Sequence, residues 1–176
     1  MKTFKVNLQE NKRGFTIIEV VLVLAIAGLI FLMVFIALPT LQRNQRDTQR
    51  KSQISSIAAQ LENSRENDRG REVSDYATNQ QLEIFIENYL KPHQDEYKDP
   101  ATGKFYTFLK CGGKVNCGTG NGLENLEIGE IYYNSGASCD GETFIDQPRN
   151  ASHFVLITKM EGGGRYCFSN KPGKKN

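Results

Sequence analysis

Hydrophobic and polar positions divide this chain into two unlike stretches. From Val20 to Leu38 no side chain carries a charge or a strong hydrogen-bonding group. About 19 residues at 1.5 Å rise make roughly 28 Å of helix, close to the hydrocarbon thickness of a bilayer. Pro39 closes this run. A proline inside a helix removes one hydrogen bond and bends the axis, so Pro39 is expected to kink the helix without ending it. Beyond it, Ile54, Ile57, Ala58 and Leu61 recur at i, i+3, i+4 and i+7 among Gln, Arg and Ser, with no Gly or second Pro between Leu41 and Glu66. That spacing predicts an amphipathic continuation over residues 39–66 with one narrow apolar face.

Asn67-Asp68-Arg69-Gly70 reads as a helix stop and turn. Thr78-Asn79-Gln80-Gln81 has the spacing of a capping box, and Leu82, Phe85, Ile86, Tyr89 and Leu90 then form a second helical face ending before Pro92. From there the pattern shortens into strand-like pieces: Phe105–Lys110, Ile128–Asn134, His153–Lys159 and Arg165–Ser169. Asp99-Pro100-Ala101-Thr102-Gly103-Lys104 reads as a turn, and Glu161-Gly162-Gly163-Gly164 as the hairpin connection of the last two pieces. The predicted class is α+β: a long N-terminal helix whose second half packs on a small antiparallel sheet.

Composition alone hides this division, with 39% hydrophobic and 24% charged residues and a formal net charge of +2. Charge position says more. The segment before the apolar run carries Lys2, Lys5, Lys12 and Arg13 against Glu10 alone, which predicts a cytoplasmic N-terminus and a soluble part on the other side of the membrane. A secretory signal is the first alternative, but its apolar region is shorter and ends at a small-residue cleavage site. Here the run closes on Leu38-Pro39-Thr40-Leu41, a poor match.

One carboxylate, Glu19, stands near the start of the apolar run. A charge at the centre of a membrane helix costs roughly 2.5 to 3.5 kcal/mol on insertion scales, less near the interface, and such residues usually have a partner. An interfacial acid snorkelling to the headgroups is the bland account. The residues Arg13-Gly14-Phe15-Thr16-Ile17-Ile18-Glu19, behind a basic leader and ahead of a long apolar helix, change that. This ordered set resembles the type III signal of type IV prepilins and of type II secretion pseudopilins, with Ile18 where Leu is more usual. The resemblance covers Lys12 to Leu61 and is only architectural beyond, where it agrees with a pilin-like α+β head.

The resemblance implies residues 1–14 as a cleaved leader, cutting by a prepilin peptidase between Gly14 and Phe15, and methylation of Phe15. It implies residues 15–38 as a helix that is first a membrane anchor and then filament core, and residues 67–176 as an extracytoplasmic head. Glu19 would pair with the N-terminus of a neighbouring subunit, because opposite charges in a low dielectric attract strongly and an unpaired one is penalised. The partners implied are membrane lipid, the pilus assembly machinery and other pilins in a homo- or heteropolymer. Precursors would sit in the cytoplasmic membrane and assembled subunits at the cell surface. A pseudopilin of a secretion or competence system shares every one of these N-terminal features. A rival of another class is a monomeric signal-anchored binding protein that keeps its first 14 residues.

All four cysteines, Cys111, Cys117, Cys139 and Cys167, fall in the expected outside domain. Four permit three pairings, of which Cys111 with Cys117 and Cys139 with Cys167 are favoured. Zinc is disfavoured because no C-x-x-C pair exists and His93 and His153 are isolated. Gly118-Thr119-Gly120-Asn121-Gly122 lacks the lysine and helix of a P-loop. No nucleophile motif or acid–base pair stands out, so the expectation is a protein that is not an enzyme and has no cofactor or metal. Asp99, Asp140 and Asp146 read as solvated turn residues in preference to calcium ligands.

Arg43, Arg46, Arg50 and Lys51 read as the solvated face of a helix, although such a run also suits phosphates of lipid or DNA. Lys171, Lys174 and Lys175 read as a solubilising tail, with DNA or surface binding unsupported. Removing the leader takes away four cations and one anion, turning the net side-chain charge from +2 to −1, so net charge gives no case for nucleic acid.

Overall fold

The computed structural model describes residues 14–67, 79–110, 122–146 and 153–172. The leader up to Arg13, Thr78 of the expected capping box, Cys111, Cys117, the glycine-rich loop before Gly122, and Lys174 and Lys175 lie outside them. The chain forms two compact units, Met1–Thr40 and Leu41–Asn176.

Helix α1 (Ile17–Asn67) runs through Pro39, which has no amide proton to give to the preceding turn. In the first unit every large apolar side chain from Ile17 to Leu38 is exposed, and α1 contains an 18-residue window of mean hydropathy 3.2. This helix is long and apolar enough to cross a membrane. So much contiguous apolar surface is unfavourable in water, at about 25 cal/mol per Å², and requires lipid or protein over it.

In the second unit the class is α+β, as the patterning predicts. Helix α2 (Asn79–Phe85) continues as a π-helical turn at Ile86–Leu90 and a 3₁₀ turn at Lys91–His93, where Pro92 ends it. Strands β1 (Thr107–Lys110), β2 (Glu130–Ser135), β5 (Phe154–Lys159) and β6 (Arg165–Ser169) form one sheet in the order β1-β2-β5-β6. Strands β2, β5 and β6 pair antiparallel, while the edge strand β1 runs parallel to β2, so the sheet is mixed where an all-antiparallel one was expected. Strands β3 (Ala137–Asp140) and β4 (Thr143–Asp146) form a separate two-stranded sheet that the sequence patterning did not anticipate.

Successive strand residues point to opposite faces, and here both faces are buried. Ile131, Tyr133, Phe154 and Leu156 join one apolar cluster with Ile54, Ile57, Ala58 and Leu61 of α1 and Phe85 of α2. Tyr132, Val155 and Ile157 join a second with Leu123, Leu126, Ala137 and Phe144. That is why Phe154-Val155-Leu156-Ile157 is continuously apolar instead of alternating.

Within the second cluster the Tyr132 side chain is fully buried and its hydroxyl has no hydrogen-bond partner among the described residues. An unsatisfied buried donor costs about 1–3 kcal/mol, so Tyr132→Phe is expected to be neutral or to stabilise by up to about that amount. Thermal unfolding of the full chain in detergent checks this; a clear loss of stability would show that the hydroxyl has a partner.

Candidate processing and assembly site

Gly14, Phe15 and Thr16 precede α1 without regular secondary structure. Phe15 is 89% exposed. A Cβ built on Gly14 meets nothing within 4 Å, and its backbone does not occupy the left-handed region that favours glycine. Nothing in the described fold requires a glycine at 14; a demand from an outside binding partner is left as the reason for it.

The helix begins with a reciprocal cap. The Glu19 amide donates to the Thr16 hydroxyl at 3.4 Å, and the Thr16 amide and hydroxyl donate back to Glu19 Oε2 at 2.9 and 2.8 Å. Thr16-Ile17-Ile18-Glu19 is therefore a capping box, in which Thr16 is the N-cap and Glu19 the third helical residue. The carboxylate also sits where the helix dipole favours negative charge. Much of Glu19's charge is thus compensated locally, by a residue the sequence reading did not single out. The T-x-x-E spacing was visible, since the same rule nominated Thr78–Gln81.

A family model, the prokaryotic N-terminal methylation motif, matches residues 10–35. The N-terminal segment is a prepilin-type signal. Such a signal marks type IV pilins and pseudopilins and implies processing by a prepilin peptidase and assembly into polymers. The prepilin-type signal covers only the first part of the chain, and comparison with curated proteins and with solved structures finds no match.

The other sequence-nominated residues lie in the second unit. Cys139 and Cys167 are joined in a disulfide with Cα atoms 5.8 Å apart. His153 Nδ1 lies 3.0 Å from the Ser138 hydroxyl, and among the described residues no cluster of His, Cys, Asp or Glu is arranged to hold a metal.

Two expectations are overturned here. Arg50 and Asp99, read as solvated, are each fully buried. Arg50 lies one turn before Ile54, on the stripe that faces the sheet, and the burial of Asp99 follows from their pairing. Arg50 Nε donates to Asp99 Oδ2 at 2.5 Å and Nη2 to Asp99 Oδ1 at 3.1 Å. Arg50 also reaches Asp47 at 2.7 Å and Glu161 at 2.7 Å, and Arg46 holds Glu161 with Nε and Nη2. Asp47 in turn accepts the amides of Glu161 and Gly162, and Asp99 those of Ala101 and Thr102. Two cations and three carboxylates thereby tie α1 to the 99–104 turn and to the β5–β6 turn.

The hydrogen bond from Arg46, reinforced by Arg50 against the cost of burial, pulls the Glu161 carboxyl down to about 2. Burial pushes Asp99 up, but Arg50 and the turn amides outweigh it and its carboxyl also lies below its ordinary value. Groups with depressed folded values stabilise above their unfolded values and lose that contribution as pH falls through the folded ones. Unfolding midpoints of the full chain in detergent are expected to be flat from neutrality to about pH 5, then to fall as pH drops from about 4.5 toward 2. Glu161→Gln should weaken that fall; an unchanged acid profile in the variant would count against the cluster as its source.

Proposed function

We propose that this protein is a structural subunit of a type IV pilus-like filament, cut between Gly14 and Phe15, methylated on Phe15, and assembled through α1. The observation that carries this reading is the prepilin-type signal, in register with an exposed Gly14–Phe15 bond directly ahead of a capped apolar helix. The extended Gly14-Phe15 segment offers its backbone to a peptidase, which binds chain outside regular structure more readily than helix.

Before assembly the exposed apolar face of α1 is covered by lipid; in the filament the same face is covered by copies of itself. The globular region is placed outside the cytoplasm, where a disulfide persists. No catalytic, metal or cofactor role is part of this reading. A pseudopilin of a secretion or competence system uses the same N-terminal chemistry and differs in filament length and partners.

The test is intact mass and N-terminal sequencing of the protein from membranes of its own host, with and without the prepilin peptidase. The expected result is a chain beginning at methylated Phe15 only when the peptidase is present. A chain that still begins at Met1 in the native host would sink the reading in favour of a signal-anchored monomer.

A further inference from the structure

The β3–β4 hairpin is attached to the rest of the second unit in an unusual way. Its strands pair with each other and with no strand of the four-stranded sheet. Isolated two-stranded hairpins are marginal in water, so its order has to come from what it lies on. It lies on the second apolar face, where Phe144 stacks on Tyr132 with centroids 5.6 Å apart and Ala137 is fully buried.

The polar ties are few. Arg165 donates from its amide and Nε to Glu142 at 3.1 and 3.2 Å, Asn134 reaches Asp146 at 3.5 Å, and Ser138 meets His153. Gly164 is packed so closely under Glu142 that an added Cβ would lie 2.5 Å from Oε1, so this end of the hairpin is fitted to the β5–β6 turn. The covalent tie is Cys139–Cys167, from β3 to β6, across 28 residues.

We propose that β3–β4 is a flap that closes over the second face of the sheet only when Cys139 and Cys167 are joined, making oxidation after export the last folding step of the subunit. The first apolar cluster, where α1 and α2 meet the other face, does not depend on the hairpin. The inference rests on the outward placement of the globular region proposed above.

Closure proceeds by thiol–disulfide exchange with an oxidised dithiol carrier, the class of oxidant required. The thiolate of Cys139 or Cys167 attacks the carrier's disulfide and forms a mixed disulfide. The other thiolate then displaces the carrier sulfur. The Cys139–Cys167 bond forms, the carrier's bond breaks, and two electrons and two protons leave with the carrier, now a dithiol.

The experiment is hydrogen exchange resolved by mass spectrometry on the full chain in detergent micelles. It compares the oxidised protein, the same protein after acute reduction by dithiothreitol with alkylation to show which cysteines have opened, and the C139S/C167S variant. The expected result is that amides of residues 137–146 exchange about 100-fold faster or more on reduction and in the variant, in line with the loop-closure effect of such a bridge. Strands β2 and β5 and residues 54–61 keep their protection.

Equal acceleration in all these segments would overturn the flap, leaving a bridge that stabilises the whole unit. So would unchanged exchange in 137–146 once Cys139 and Cys167 are alkylated. If C139S/C167S does not fold, the acutely reduced protein decides between the same outcomes. The measurement is made on purified protein, so a wrong placement outside the cytoplasm would emerge from N-terminal sequencing and not from exchange.

Discussion

Arg50→Ala is expected to lower the stability of the second unit by about 3–5 kcal/mol, the usual cost of removing one partner from a buried ion pair. The reason is what remains. Asp99 would stay fully buried with no cation beside it, and Asp47 and Glu161 would keep only Arg46 in common reach. Desolvated carboxylates that face one another cannot all remain ionised. Arg50→Met with Asp99→Asn should lose less than Arg50→Ala, because the charge on both sides is gone and the asparagine oxygen can still accept the Ala101 and Thr102 amides. Chemical unfolding of the full chain in detergent, with the four corners of that double-mutant cycle, measures the coupling. A loss below about 1 kcal/mol for Arg50→Ala would mean that the pair contributes no more than one on the surface.

Glu19→Ala is expected to leave membrane insertion intact and to reduce filament yield at least tenfold, the factor that about 1.4 kcal/mol per subunit contact makes. The capping box complicates the alanine result, since that variant loses both a charge and a helix cap worth about 1 kcal/mol. Glu19→Gln separates the two. The amide oxygen still accepts from Thr16, while the charge that would meet a neighbour's α-ammonium is gone. Filament yield falling equally in both variants assigns the effect to charge. Normal yield from glutamine with loss from alanine assigns it to the cap, and normal yield from both ends the assembly role of Glu19.

What the sequence made legible was whatever is written in local periodicity. The exposed span ending at Leu38, the stripe Ile54-Ile57-Ala58-Leu61, and strand β6 at Arg165–Ser169 all follow from spacing alone. Strand β3 does not, because Ala137-Ser138-Cys139-Asp140 has no β-branched or aromatic residue. It is a strand because Ala137 is covered and Cys139 is tied to β6. Its turn was readable in principle, as Asp140-Gly141 is a strong hairpin signal and Gly141 has φ 65°.

The parallel direction of β1 depends on pairing across the chain and leaves no local trace. Arg50 was obscured by its neighbours: four cations within nine residues suggest a wet surface, yet only its place one turn before Ile54 matters. Glu19 was seen as a problem of charge in lipid, which hid the simpler observation that it closes the first turn of its own helix.

The charged cluster also has a mechanical meaning. An apolar stripe of Ile and Leu resists separation but only weakly resists sliding, since one turn of helix presents much the same surface as the next. Arg46, Asp47 and Arg50 engage two different turns of the fold, at Asp99 and at Glu161 and Gly162, so any displacement of this part of α1 along its axis must break several short bonds together. Under tension along α1 the joint is loaded in shear, the direction in which parallel bonds share force, and it should hold rigidly up to a threshold and then yield at once instead of creeping.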